Sequence, residues 1–380
     1  MKYLLSVGLF FLLGTGFLFS QSDSSQEKKL TFTGDFRFRI EQDWDSRKSD
    51  GTYRDNRSRL RYRFRFGMNY HLIEWAEFGM RIRTGYRENQ QDPHLTLGDG
   101  FNEFGTVPLG FEKLFFKATY KKFMGWVGKN TFPFEKQNEL FFSDNVYPEG
   151  VFVSAKFDVE SNFIETIKLN AGHFVLGTSN STFDQDQYFQ GFQILTSHWN
   201  KRINIFPSFY YFNEMPNIPD GNETYRINYS LLHVGTNVKV IEKPSVTIGL
   251  DYYHNFENLK DNDSIPQKLR NQKEGVVGSL KFGKLKSKGD WEFTTTFTYL
   301  ERYAVVDFLA QNDWVRWDYS SQGSPAGRLS NFKGIEISAG YLIRKNFRLK
   351  ARYFIVDQLI PYGSSKETGN RIRLDLDIGF

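Results

Sequence analysis

The chain has no cysteine, only 11 prolines in 380 residues, and a single long apolar run, at its start. Each scarcity excludes something. Without thiols there is no disulfide scaffold, and passage through an oxidising periplasm leaves nothing to misoxidise. Without a second run of about eighteen apolar residues there is no bundle of membrane helices. Charge of one sign is also in short supply. Lys and Arg number 49 against 44 Asp and Glu, a net charge of +5, so placement of charge carries more than its sum. The mean hydropathy of −0.51 by itself describes a soluble protein. What is plentiful is aromatic: 39 Phe and 20 Tyr, enough rings to exclude a disordered chain.

The opening segment reads as a targeting signal. Lys2 supplies a positive start, Tyr3 to Phe19 is apolar apart from small residues, and Ser20-Gln21-Ser22 offers a cleavage site. Residues 1–22 are therefore expected to be removed, residues 23–29 to form a short periplasmic segment, and 30–380 to form one domain.

Residues 57–66 alternate strictly from Leu60 onward, with Arg57, Arg59, Arg61, Arg63 and Arg65 on one face and leucine and rings on the other. Period two is the signature of a β-strand. A membrane barrel satisfies both faces at once, with rings to lipid and guanidiniums to a wet lumen. The same alternation runs through 30–41, where Arg37 and Arg39 oppose Phe36 and Phe38. It recurs at 77–87, where Arg81, Arg83 and Arg87 oppose Met80, Ile82 and Tyr86. Further strands are expected near 112–121, 126–132, 150–158, 164–175, 187–197, 201–213, 226–240, 246–257, 275–284, 291–302, 333–343, 347–357 and 370–380. That makes sixteen, or eighteen if 303–332 hides another pair. The fold class is all-β, a transmembrane antiparallel barrel. Alternation halves the apolar signal, which is how such a chain escapes hydropathy.

The connections support this reading. They alternate long and short along the chain, as external loops and periplasmic turns do, and an even count puts both strand termini in the periplasm. Rings stand at the shoulders of the short turns: Tyr70, Trp75, Phe123, Trp126, Trp199, Trp291, Tyr341 and Phe347. They would form an aromatic girdle. The last strand alternates Ile372, Leu374, Leu376 and Ile378 with Arg371, Arg373, Asp375 and Asp377, and ends on Phe380. An alternating strand closing on an aromatic is similar to the insertion signal of outer-membrane barrels, which makes the barrel-assembly machinery an expected partner.

Several short motifs resemble the bacterial outer-membrane putative-porin family. Gly34-Asp35-Phe36-Arg37-Phe38-Arg39 is similar to its first strand. Asp92-Pro93 with Leu97-Gly98-Asp99-Gly100-Phe101 resembles its second external loop. Gly128-Lys129 with Pro133-Phe134, and Asn145-Val146-Tyr147-Pro148-Glu149-Gly150, resemble the stretch around its fifth and sixth strands. The likeness spans roughly 34–157 and implies an outer-membrane channel without fixing a substrate. A looser similarity is to alginate-export barrels, whose pores are arginine-lined.

The lumen is where the chemistry is expected. Side chains two apart on a strand lie about 6.5–7 Å apart, where like charges repel by about 0.6 kcal/mol in water and more at lower dielectric. Arg37, Arg39, Arg59, Arg61, Arg63, Arg65, Arg81, Arg83, Arg87, Arg371 and Arg373 are the expected basic wall, provided the barrel closes on its last strand. The acids on the same four strands are Asp35, Glu41, Glu77, Asp375 and Asp377, all but Glu41 toward the periplasmic ends. The middle and outer wall should then be positive. Arginine does not lose its proton, so loop carboxylates, lipopolysaccharide or diffusing anions must neutralise it. Glu135, Glu139, Asp144 and Glu149 of the third external loop are the candidate constriction acids, facing the arginines across the pore.

Other constellations are weaker. The histidines His71, His94, His173, His198, His233 and His254 lack ligand spacing, so no metal and no cofactor is expected. Asp261-Asn262-Asp263-Ser264 reads as a solvated turn. No nucleophile motif stands out, so no enzyme is expected, and export argues against nucleic acid. The expected function is a porin for passive diffusion of small hydrophilic solutes, anion-preferring, in an outer membrane with lipid and lipopolysaccharide around it and a homo-trimer as candidate assembly. The alternatives are a channel for acidic polysaccharide or phosphate, and a non-conducting surface barrel whose loops, with Trp314 and Trp317, bind host or partner molecules.

Overall fold

The computed structural model describes residues 29–86, 91–98, 104–159, 161, 163–179, 182, 185–217, 225–315 and 330–380. The segment 1–22 expected to be a cleaved signal, most of the segment 23–29, and the side chains of Arg87 and Trp317 lie outside the described residues.

Strict alternation produces long strands. β1 (Leu30–Trp44), β2 (Arg57–Ile73) and β3 (Ala76–Thr84) carry the arginines. A two-residue β4 (Leu95–Thr96) docks on β2, opposite Arg61 and Tyr62. Then come β5 (Leu109–Tyr120), β6 (Phe123–Lys129), β7 (Glu149–Asp158), β8 (Ile164–Gly177), β9 (Gln187–His198) and β10 (Ile203–Asn217). The circuit continues through β11 (Tyr225–Ile241), β12 (Val246–Asn255), β13 (Glu274–Gly283) and β14 (Trp291–Leu300). It ends with β15 (Phe332–Arg344), β16 (Phe347–Gln358) and β17 (Thr368–Gly379). All but β4 pair antiparallel with their neighbours, and β1 pairs with β17, so sixteen strands close a barrel among the described residues. The expected sixteen positions are all strands. Residues 303–315 of the region considered for an additional pair are loop with one short 3-10 turn, Asp307–Leu309.

The seam explains one glycine. The backbone of Gly34 exchanges hydrogen bonds with Phe380 at 2.9 and 3.0 Å, and the Phe380 ring lies over it. A Cβ at Gly34 would stand 2.2 Å from that ring. The ring also stacks on Phe64, with 6.3 Å between centroids.

Outward positions are apolar and lipid-facing, among them Phe111, Val127, Val151, Phe192, Phe209, Ile248, Leu280, Phe297 and Ile337. The expected girdle forms in part, with Trp126 pointing into the barrel instead. Trp75, Phe123, Trp199 and Trp291 are about half exposed at the periplasmic ends, and Trp291 packs on Tyr341 at 4.6 Å.

The interior departs from a uniformly polar lumen. The wall of β6 to β12 points Trp126, Phe152, Phe174, Phe189, Tyr210, Phe212, Tyr229 and Tyr253 inward. Two external loops fold down onto these rings. The loop between β6 and β7 inserts Phe132, Phe134, Leu140, Phe141 and Phe142, and the one between β14 and β15 inserts Tyr303, Val305, Val306, Leu309 and Trp314. Phe132 stacks on Phe142 at 4.1 Å, and Phe141 lies 4.8 Å from Tyr210. The barrel thus encloses an apolar core on one side and a charged wall on the other.

Candidate functional site: an arginine and carboxylate wall

β1, β2, β3 and β17 place their arginines on one continuous inward surface, as the alternation requires. Arg37 stands opposite Arg63 and Arg39 opposite Arg61 across the β1–β2 pair, and Arg65 stands opposite Arg83 across β2–β3. On the other side of β1, Glu41 faces Arg373 and Asp43 faces Arg371. The juxtaposition expected from closure is present.

The expected bare positive surface is not. Each strand edge supplies an acid within reach. Arg39 makes a two-pronged contact with Asp375, Nε to Oδ1 at 2.6 Å and Nη2 to Oδ2 at 2.9 Å, and Arg37 does the same with Asp377. Such paired forks are the strong form of the interaction. Glu41 accepts from Arg59 on β2 and, through its other oxygen, from Arg373 on β17. Asp43 is shared in the same way by Arg57 and Arg371. Arg63 pairs with Asp35.

The remaining acids come from places that alternation does not report. Arg81 is paired with Lys113 and Ile82 with Phe111, so Glu112 is the extra residue of a bulge in β5. A bulge re-aims a side chain, and Glu112 points inward to Arg65 Nη2 at 2.7 Å and Arg81 Nε at 2.6 Å. Tyr147 adds its hydroxyl to both guanidiniums, and burial pushes that phenol up to about 12. Asp92 folds in beside β4 and accepts from Arg61 at 2.5 Å. Burial alone would raise the Asp92 carboxyl, but hydrogen bonding with His94 and the charge of Arg61 hold it below the usual carboxylate range. Asp313 descends with the second inserted loop to Arg373 and Arg352, and Arg352 also grips Glu336 at 2.6 Å. Burial opposes the charge on Asp313 too, yet Arg373, Arg352 and Arg39 together keep it well below the ordinary range.

The wall is consequently covered. Arg39, Arg61, Arg63, Arg65, Arg83, Arg371 and Arg373 are buried, while Arg59 and Arg81 keep 22% of their side-chain surface accessible. The four carboxylates named as constriction acids take other places. Glu139 is half-buried in the inserted loop, and desolvation there together with neighbouring Asp144 pushes its carboxyl up. Asp144 pairs with Lys136 at 2.5 Å. Glu135 anchors the loop by its backbone, through Gln193, and burial raises its carboxyl. Glu149 opens β7 on the outward face and pairs with Lys129, away from the lumen. Among the described residues, the loop acids that ion-pair with this wall are Asp92 and Asp313.

Below the inserted loops, toward the periplasm, lies a cavity of about 350 Å³. Its lining includes Lys136, Glu139, Asp251, Lys281, Glu292, Thr294, Glu336, Lys350, Arg352 and Trp314. Among the described residues no group of three potential ligands could hold a metal ion.

Comparison with known proteins agrees with this architecture. Residues 52–228 match the putative porin family. The chain also superposes on solved barrels over almost its whole length. OprB of Pseudomonas putida, in its high-pH structure, is 13% identical, with 93% of this chain and 94% of that chain covered and a TM-score of 0.57. OmpF of Salmonella typhi, in a complex with daunomycin, is 10% identical, with 92% and 97% covered and a TM-score of 0.53. The loop L8 deletion mutant of OmpT from Vibrio cholerae is 10% identical, with 93% and 100% covered and a TM-score of 0.52. At such identities the likeness is one of fold. No curated protein matches at the level of sequence. The chain thus has the fold of outer-membrane porin barrels.

Proposed function

We propose that this porin is a passive diffusion channel for small hydrophilic solutes that favours anions. The observation that carries the reading is the composition of the wall. Even after Glu41, Asp43, Asp92, Glu112 and Asp313 are drawn in, guanidiniums outnumber carboxylates. Single acids serve two or more arginines: Glu41, Asp43, Glu112, Asp313 and Asp377 each do so. Rows of unequal charge set the selectivity of a pore. Arg57, Arg59 and Arg81 are accessible members that a passing solute would meet. The inserted loops narrow the path, which suits small solutes and weighs against a bulky acidic polysaccharide.

The test is reconstitution into planar bilayers under a salt gradient. Discrete steps with a reversal potential favouring chloride are expected, and the double variant R59Q/R81Q should move that potential toward cations. A cation-favouring wild type, or a folded barrel with no conductance, would overturn the proposal.

A further inference from the structure

The pairing in the wall stops short at one place. Arg61 and Arg63 on β2 each spend an Nη2 on an acid, Asp92 and Asp35 respectively. Among the described residues, the Nε–H of each is buried without an acceptor. Beside them, His94 is carried in by the loop that leads into β4. Its backbone carbonyl accepts from Arg61 Nη2 at 2.9 Å, and its Nδ1 lies 3.7 Å from Asp92 Oδ1. That side chain is 5% exposed, and its Nε2 is likewise buried without a partner. Arg39, directly opposite Arg61, and Arg63 both act electrostatically on the imidazole. Two buried guanidinium N–H groups without acceptors, and on a neighbouring residue a buried ring nitrogen without a donor, therefore stand where arginines of β1 and β2 face one another, and leaving buried polar groups unmet is costly.

We propose that Arg61, Arg63 and His94, with Arg39 supplying further positive charge, form a binding station for one small inorganic anion, taken up together with a proton on His94 Nε2. The bookkeeping is simple. In the resting wall His94 is neutral, its Nδ1–H directed at Asp92 and a lone pair on Nε2. Burial, with Arg39 and Arg63, keeps the proton off, and Asp92 only partly opposes them. The anion accepts from the two Nε–H groups and cancels the positive field at Nε2, which then takes a proton from water and donates to the anion. Net charge of the station is unchanged by the pair. The groups facing the ring are Asp92 on its own loop, Arg39 on β1, and Arg61 and Arg63 on β2. The station rests on the anion reading above and deepens it by naming a buried place, distinct from the accessible arginines, where one anion dwells.

The experiment is a sodium chloride titration of the intact barrel in detergent, with histidine carbon-13 labelled and followed by NMR. Sodium isethionate serves as the bulky control at equal ionic strength. One imidazole resonance, absent in His94→Gln, should move saturably to the protonated position with chloride and not with isethionate. Because one proton accompanies the anion, its apparent affinity should fall about tenfold per pH unit above neutrality. Arg63→Lys, which keeps the charge and moves the donor, should weaken binding at least about fivefold, within the usual range for losing a charge-assisted contact. An equal response to both salts, or none, would overturn the station. The bilayer result is independent. Chloride-selective conductance with a silent imidazole removes the station and keeps the selectivity. A saturable imidazole response in a cation-selective barrel does the reverse.

Discussion

Glu41 shows how much one residue can hold. It is buried, and its two oxygens take Arg59 from β2 and Arg373 from β17. Glu41→Gln keeps the shape and removes the charge that both guanidiniums were placed around. Breaking a buried pair from one side costs about 3–5 kcal/mol, so the urea midpoint of the folded barrel should fall accordingly. Glu139 makes an opposite demand. Its carboxyl is raised by burial and by Asp144, so the protonated form suits the inserted loop. The stabilisation it gives is complete below the ordinary carboxylate pKa and is lost as pH rises through the raised one. Protease cutting within residues 133–148 should therefore speed up as pH rises above the ordinary carboxylate range, and Glu139→Gln should flatten that dependence.

At the scale of elements, the loop between β6 and β7 is a wedge of rings held by amides. Gln137 donates to the carbonyls of Thr236 and Leu250 at 3.0 Å, and Asn138 to Asp251 at 2.7 Å. Phe141→Ala removes the ring between Tyr210 and Tyr253, a change costing about 3–5 kcal/mol in a packed interior. The loosened wedge should give larger and noisier single-channel steps; unaltered steps would show that solutes pass elsewhere. The strands themselves were legible, because Arg59 to Phe66 or Ile372 to Phe380 can face only one way. The acids were not. Asp43 belongs to a β1 that runs to Trp44, beyond the clean alternation. Glu112 is aimed by a bulge, and Asp92 and Asp313 arrive by loop folding, which no local period encodes. The inward rings were hidden for a related reason. Phe209-Tyr210-Tyr211-Phe212 is aromatic on both faces, so nothing in the sequence says which rings meet lipid and which meet the core.

The whole molecule divides its interior between two chemistries, a ring-filled side that anchors loops and a charged side that spans the closing seam. That seam has a consequence for how the barrel is made. Arg371 and Arg373 of β17 find Asp43 and Glu41 on β1, and Asp375 and Asp377 of β17 receive Arg39 and Arg37 in return. These two strands are the first and the last of the barrel in chain order. Until β17 arrives, the β1–β2 hairpin is a strongly cationic ribbon that membrane interior and sister strands both disfavour. A chain whose Asp375 and Asp377 are both changed to asparagine should still export but should accumulate as an unclosed, protease-sensitive form. Its conversion to the compact, heat-modifiable barrel should be slowed several-fold in a timed assembly assay.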